Sequence, residues 1–129
     1  MLGASDLIAF VPTTDLARAR GFYEGQLGLS LGSETPFALV FDAHGTILRV
    51  TAVEQIASAQ YTVLGWKVAD IAATVRALGT KGISFLRFDG MEQDEVGVWT
   101  TPSGDRVAWF KDPDGNTLSL TEFIGTGKP

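Results

Sequence analysis

The order of apolar and polar residues predicts two copies of one strand–helix–strand unit. Short runs rich in aliphatic, β-branched and aromatic residues, bounded by turn residues, predict strands over residues 6–11, 30–34, 37–42 and 46–51. Similar runs occur over residues 61–68, 83–88, 96–100, 106–111 and 117–123. We therefore expect strands in both halves of the chain, with one more in the second half than in the first.

Apolar residues spaced three and four apart predict one helix in each half, directly after its first strand. The two apolar faces are formed by Leu16, Ala19, Tyr23 and Leu27 and by Ile71, Val75 and Leu78. Asp15 and Asp70 precede these helices, where an N-cap carboxylate accepts hydrogen bonds from the free amides of the first turn. Gly28 and Gly79 stand where a glycine would end each helix.

The two halves also resemble each other in sequence. IAFVPTTDLARA starts at residue 8 and VLGWKVADIAAT at residue 63, while GLSL from residue 28 matches GISF from residue 82. FDAHGTILRV from residue 41 matches FKDPDGNTLSLT from residue 110 if two residues are added in the turn. This repeat predicts two equivalent modules, at about residues 6–51 and 61–123, joined by a linker at 52–60 within a single domain of residues 1–129.

Composition excludes several classes of function. The net charge is −5 and the ten basic residues are scattered, which argues against a nucleic-acid partner because such proteins need a basic face. No apolar run is long enough to span a bilayer, and the first residues lack the basic segment of a signal peptide, so we expect a cytoplasmic protein with no membrane partner. The chain has no cysteine and hence no thiolate nucleophile.

No catalytic set is recognisable among the residues, so whether the protein is an enzyme stays open. The single histidine, His44, stands in the turn DAHG, where an exposed side chain is the simpler interpretation and a catalytic base the alternative. No serine lies in a nucleophile-elbow motif. Asp15 and Asp70 are explained better as helix caps than as an acid–base pair.

The two βαβββ modules, the helix exit FYEGQLGLSL and the closing hairpin WFKDPDGNTLSL resemble the vicinal oxygen chelate superfamily, which contains glyoxalase I, bleomycin resistance proteins and extradiol dioxygenases. The resemblance covers about residues 6–123. It implies an α+β fold in which the modules form a curved, incomplete mixed β-barrel with the helices on its outer face. Because this fold hosts several chemistries, it does not by itself imply one activity.

The resemblance also implies where a metal would be bound. In the family's metal enzymes the ligands come from the first and the last strand of each module. Counting seven residues back from each capping aspartate gives Ile8 and Val63, and the last strands give Leu48 and Ser119. Since His, Gln or Glu would be needed at these positions and none is present, we expect no metal, no other cofactor and no family-type catalytic residue.

The faces that carry these positions resemble the lining of a small-molecule pocket, which is mostly apolar with a few polar groups. The candidate ligand-binding residues are Phe10, Phe41, Leu48, Lys67, Trp99, Phe110 and Ser119. Lys67 would either bind an anionic group or extend into solvent. The alternative for the whole set is that these side chains simply fill a narrow barrel.

The second half carries about fifteen extra residues, within 87–105, between its second and third matching strands. Insertions of this length in small domains are often functional. The segment is acidic and contains Trp99, which would suit a cationic, partly planar ligand; the alternative is a solvated hairpin.

We therefore interpret the sequence as a metal-independent small-molecule-binding protein of this superfamily, with the ligand held between the modules and a homodimer as the expected assembly. The alternative is a glyoxalase- or dioxygenase-like enzyme, a lyase or isomerase that uses a non-standard site. A third possibility is a non-catalytic domain that binds a protein partner.

Overall fold

The computed structural model describes residues 1–125 and contains two modules built from the same elements. In the first module a short 3-10 helix at Leu2–Ala4 precedes β1 (Ile8–Thr13), α1 (Leu16–Arg20, continued by π-helical turns at Gly21–Gln26), β2 (Ser30–Glu34), β3 (Ala38–Ala43) and β4 (Thr46–Ala52). In the second module the elements are β5 (Leu64–Lys67), α2 (Ile71–Thr80), β6 (Trp99–Thr100), β7 (Arg106–Lys111) and β8 (Thr117–Glu122).

Both modules have the same sheet topology. The first sheet has the strand order β1-β4-β3-β2, and the second has the order β5-β8-β7-β6. In each sheet the first strand pairs in parallel with the last, and the other pairs are antiparallel. The chain divides into two compact units between Ser58 and Ala59, inside the predicted linker. The predicted α+β class with two βαβββ modules is confirmed.

The helix caps are those predicted from the sequence. Asp15 Oδ1 accepts a hydrogen bond from the Arg18 amide at 3.1 Å, and Asp70 Oδ1 accepts one from the Ala73 amide at 3.1 Å. Gly28 follows the first helix with a φ of 78°. Gly79, however, lies inside α2, and the left-handed residue after that helix is Gly82, with a φ of 90°.

Arg20 joins the first helix to the edge of its sheet. Its Nε donates to Glu24 Oε1 at 2.9 Å and its Nη1 to Glu34 Oε1 of β2 at 2.9 Å. The hydrogen bond to Glu24 is the largest of the causes that raise the pKa of Arg20. Because all three side chains are well exposed, these ion pairs orient the helix more than they stabilise the fold.

The strand predicted at residues 83–88 does not form, and this is the main difference from the expected fold. Phe85 makes only an isolated bridge to Phe110, and the Leu86 amide donates to the Trp109 carbonyl at 2.8 Å. In the first module the equivalent pair, Leu31 and Phe41, lies inside a continuous edge strand. The insertion interrupts that strand in the second module, and β6 resumes pairing with β7 farther along.

One face of each sheet packs against the helix of its own module and is buried. In the first module Tyr23 contacts Phe41, with ring centroids 6.1 Å apart. In the second module Phe110 lies between Trp66 and Phe85, with centroid distances of 6.3 and 5.2 Å. No helix within residues 1–125 is both long and apolar enough to cross a membrane.

Candidate functional site

The opposite face of each sheet is not covered by the helix of its module, and we call it the open face. On the first module it is formed by alternate residues of β1, β3 and β4: Ile8, Phe10, Pro12, Val40, Asp42, Ile47, Arg49 and Thr51. On the second module it is formed by alternate residues of β5 to β8: Gly65, Lys67, Trp99, Val107, Trp109, Lys111, Thr117, Ser119 and Thr121.

The prediction that Leu48 lies on the open face with Ile8 is wrong. Ile8 pairs with Ile47 and Leu48 pairs with Ala9, so Ile8 and Leu48 point to opposite faces of the first sheet. Leu48 also pairs with Phe41 in β3, and both are only 1% exposed on the helix side. Phe41 and Leu48 are therefore core residues of the first module rather than residues of the open face.

Phe110 is likewise misplaced by the sequence prediction. It pairs with Leu118, is 0% exposed and packs with Trp66 against the helix side of the second sheet. Trp109, the residue before Phe110, pairs with Ser119 on the open face.

The length of the two hairpin turns explains these errors. In the first module a two-residue turn, His44-Gly45, has φ values of 52° and 91°, which is typical of tight hairpins. The second module has a longer turn, in which the Asp112 carboxylate accepts hydrogen bonds from the amides of Asp114 and Asn116, both at 2.9 Å. Counted between the paired residues that are equivalent in the two modules, the second hairpin is one residue longer than the first, whereas the repeat suggests two. An error of one residue in this count moves every following side chain to the other face of the sheet.

Arg49, and not Leu48, is the counterpart of Ser119 in the first module. The repeat makes Phe10 of β1 equivalent to Gly65 of β5. Phe10 pairs with Arg49, and Gly65 pairs with Ser119. Arg49 is half-buried and, among residues 1–125, makes no hydrogen bond or ion pair through its guanidinium.

Ser119 lies on the open face as predicted, in a notch next to a glycine. It is only 7% exposed, yet its hydroxyl has no hydrogen-bond partner in the part of the chain that the structure describes. A Cβ atom at Gly65 would lie 3.0 Å from Ser119 Oγ and 3.3 Å from the Ser119 carbonyl oxygen, so only a glycine leaves this space free. The nearby Thr117 hydroxyl, in contrast, donates to the Ala59 carbonyl at 3.2 Å.

Three aromatic rings stand beside this notch. Trp99 and Trp109 have ring centroids 6.1 Å apart, and Phe88 meets Trp109 edge-on at 5.3 Å. Trp99 pairs with Val107, which places it on the open face. Trp99 is one of the candidates drawn from the sequence, whereas Trp109 and Phe88 are not.

Lys67 also lies on the open face, at the end of β5, where it pairs with Thr121. The two residues line a shallow cleft of ≈ 200 Å³ together with Gly65, Trp66 and Phe123. Lys67 is exposed and makes no ion pair with any residue in the range 1–125. Its ammonium group is therefore free to contact an anion or the solvent.

The insertion is an ordered loop held by two polar side chains. Gln93 accepts from the Phe88 amide at 2.8 Å and donates to the carbonyls of Leu86 and Gly97, both at 2.9 Å. Asp94 Oδ1 accepts from the amides of Val96 and Val98 at 3.0 and 2.9 Å. Its carboxylate thus supports the loop, although the other acidic residues of the insertion are exposed.

A cleft of ≈ 490 Å³ opens between the insertion and β6. It is lined by Gly90, Met91, Glu92, Asp94, Val98, Trp99 and Thr100. The cleft and the aromatic cluster share Trp99, so the insertion extends the open face of the second module.

The residues at the positions where related enzymes bind a metal do not fit a divalent ion. With the register corrected, these positions hold Ile8, Arg49, Val63 and Ser119. One hydroxyl and two aliphatic side chains supply too few donors, and the guanidinium of Arg49 would repel a cation. No group of three or more His, Asp or Glu side chains that could hold a metal occurs within residues 1–125.

Comparison with known proteins agrees with this architecture. The sequence matches the model of the Glyoxalase/Bleomycin resistance protein/Dioxygenase superfamily over residues 6–120. No curated protein sequence matches the chain significantly.

Several solved structures have the same fold. A glyoxalase family protein from Enterococcus faecalis is 20% identical, with a TM-score of 0.73 over 95% of this chain and 100% of that chain. The fosfomycin resistance protein FosX from Listeria monocytogenes is 9% identical, with a TM-score of 0.74 over 98% of both chains. A lactoylglutathione lyase from Agrobacterium tumefaciens is 20% identical, with a TM-score of 0.65 over 92% of this chain and 93% of that chain. At these identities the likeness shows the shared fold, and the family match over most of the sequence shows that the chain belongs to the glyoxalase/bleomycin resistance protein/dioxygenase superfamily.

Proposed function

We propose that this protein binds a small organic molecule against the open face of its second module and does so without a metal ion. The observation that carries the proposal is the Ser119 hydroxyl, which lies in a largely buried residue beside the notch at Gly65 and has no hydrogen-bond partner among residues 1–125. A ligand atom that hydrogen-bonds to this hydroxyl would gain about 0.5–1.5 kcal/mol of binding free energy.

The surroundings of Ser119 support a ligand with a flat apolar part. Trp99 and Trp109 offer ring faces on the same side of the sheet, and indole rings bury a large area with little loss of side-chain freedom. Of the candidate ligand-binding residues, Lys67, Trp99 and Ser119 lie on this face, and we add Trp109; Phe10 lies on the open face of the first module, with Arg49.

Metal independence is supported by the donor set. A lyase, isomerase or dioxygenase that uses a divalent ion would need carboxylate or imidazole ligands, and the four family positions offer one serine hydroxyl. We therefore favour binding without metal-dependent chemistry over the enzymatic alternative.

We also propose that the protein is a homodimer. Large apolar side chains are exposed on the single chain, among them Phe37 at 71% and Tyr61 at 71%. Exposed apolar groups of this size are typical of surfaces that a partner covers.

The proposal is tested by a thermal-shift screen in EDTA with compounds that are anionic, neutral or cationic and that carry one or two aromatic rings. We expect at least one charge class to raise the melting temperature in a concentration-dependent way, because a ligand that binds only the folded state stabilises it. If no compound of any class shifts the melting temperature, the proposed function is wrong.

A further inference from the structure

We propose that the open face of the first module binds an organic anion, and that Arg49 holds its charged group. This inference goes beyond the proposed function, because it concerns the face of the other module. It is argued from the surroundings of Arg49, from a second unsatisfied group beside it and from the charges of this face.

Arg49 has apolar neighbours on both adjacent strands. It pairs with Phe10 in β1 and with Val40 in β3, so these side chains flank it on the same face. The residue is half-buried, and a guanidinium in such a place gains from a carboxylate partner with which it can make charge-assisted hydrogen bonds. Since no residue in the range 1–125 supplies that carboxylate, a ligand carboxylate, phosphate or sulfonate would complete the pair.

The residue two positions farther along β4 also lacks a partner. Thr51 lies on the same face as Arg49, and its Oγ1 is buried with no hydrogen-bond partner among the described residues. Because this oxygen is closed off from solvent, a ligand could reach it only if the neighbouring side chains moved. The contact that the surface offers directly is the Arg49 guanidinium, which suits an acceptor-only group.

The open face of the first module carries two charged residues. They are Arg49 and Asp42, whereas the whole chain has 15 acidic and ten basic residues. The Asp42 carboxylate accepts a hydrogen bond from the Gly45 amide at 2.9 Å, in the turn at the end of the strand, and makes no ion pair with Arg49. Arg49 is therefore the cation that this face offers to an anionic ligand.

The apolar neighbours define the rest of the ligand. Ile8, Phe10 and Ile47 are all substantially exposed on the same face as Arg49. A free inorganic anion would leave these side chains in water, whereas an aromatic or branched acid would cover them. The class we infer is therefore an apolar organic acid rather than phosphate or sulfate alone.

The test compares three probes of one size and shape: benzoate, neutral benzamide and cationic benzylammonium, each titrated into the ¹⁵N-labelled full chain and followed by NMR. Benzoate should bind about fivefold or more tightly than either other probe, because charge-assisted hydrogen bonds are the stronger ones. Its addition should shift the Arg49 Nε–Hε signal and the Phe10 amide. Sulfate added alone should cause smaller changes than benzoate at equal concentration.

Variants identify the residue responsible. Arg49→Gln should remove the preference for benzoate, and Arg49→Lys should retain part of it, since lysine keeps the charge but loses the planar fork. The control is Arg76→Gln, which removes the same charge from an exposed position on α2 and should leave benzoate binding unchanged. The NMR spectrum of each variant shows directly whether that variant is folded. If one variant does not fold, the wild-type preference for benzoate over the other two probes still tests the inference.

Three results would overturn the inference: a preference of the wild type for benzamide or benzylammonium, equal binding of all three probes, or a benzoate preference that persists in Arg49→Gln. If such probes still shift the Gly65 and Ser119 amides, the proposed function survives while the inferred anionic class does not. If none of the three probes shifts any residue of the open faces, both are contradicted.

Discussion

Ser119 shows how a single hydroxyl can be left available for binding. The residue is only 7% exposed, and its side chain makes no hydrogen bond to any group among residues 1–125. Binding sites often contain such groups, because the partner that satisfies them arrives with the ligand.

Replacing Ser119 with alanine should therefore separate stability from binding. We expect the free energy of unfolding to stay the same or to rise by up to about 1 kcal/mol, since an unpartnered polar group is removed. Affinity for a ligand found in the screen should fall by about fivefold or more, because the ligand loses a hydrogen bond. Urea denaturation and calorimetry measure the two effects, with Ser30→Ala on the exposed edge strand as the control. A clear loss of stability without a loss of affinity would assign Ser119 a structural role.

Gly65 offers a steric test of the same notch. A methyl group there would lie 3.0 Å from Ser119 Oγ, and the Gly65 backbone does not require a positive φ, so Gly65→Ala should fold. We expect the variant to lose about tenfold or more in ligand affinity, because the added atom fills the space in front of the hydroxyl.

The matched control is Gly79→Ala, at an exposed helical position with no atom within 4 Å of the added methyl group. It should keep full affinity and gain about 0.5–1 kcal/mol of stability from helix propensity. Equal affinities of the two variants in calorimetric titrations would place the ligand elsewhere.

At the scale of elements, the insertion depends on Gln93, whose amide joins three backbone groups. Replacing Gln93 with alanine leaves these partly buried groups without partners, so we expect a loss of about 1–3 kcal/mol and faster amide exchange in the insertion. The neighbouring substitution Glu92→Ala, at an exposed site, should change neither quantity. If hydrogen exchange were identical in the two variants, Gln93 would not be what orders the loop.

The elements that could be predicted from the sequence are those set by local interactions. The helices and their caps at Asp15 and Asp70 follow from neighbouring residues, and the repeat revealed the order of the strands. The faces of β4 and β7 could not be predicted in the same way. They depend on how many residues of each turn are left unpaired between the strands. An error of one residue in this number placed Leu48 on the open face instead of Arg49, and Phe110 there instead of Trp109.

The missing strand at 83–88 has a different cause. Its composition is typical of a strand, but the Leu86 carbonyl and the Phe88 amide bond to the Gln93 side chain, and only the Leu86 amide bonds to β7. When a side chain competes with a neighbouring strand for backbone hydrogen bonds, the pattern of hydrophobic residues does not reveal it.

At the scale of the whole molecule, the expected assembly is a homodimer. Light scattering at micromolar concentration should give about twice the chain mass of 13.8 kDa. Phe37→Ser removes one of the most exposed apolar side chains, at a position outside the strands, and should weaken the dimer if that surface is covered by the second copy. A wild-type mass equal to that of one chain would contradict the proposed assembly.

Metal-independent ligand binding is tested most directly by calorimetric titration of the best ligand from the screen into EDTA-treated protein, repeated with excess Zn²⁺, Mn²⁺ or Ni²⁺ and without chelator. With Ile8, Arg49, Val63 and Ser119 at the family's metal positions, the dissociation constants should agree within about twofold in every condition. Binding that occurs only when a divalent ion is present would contradict it.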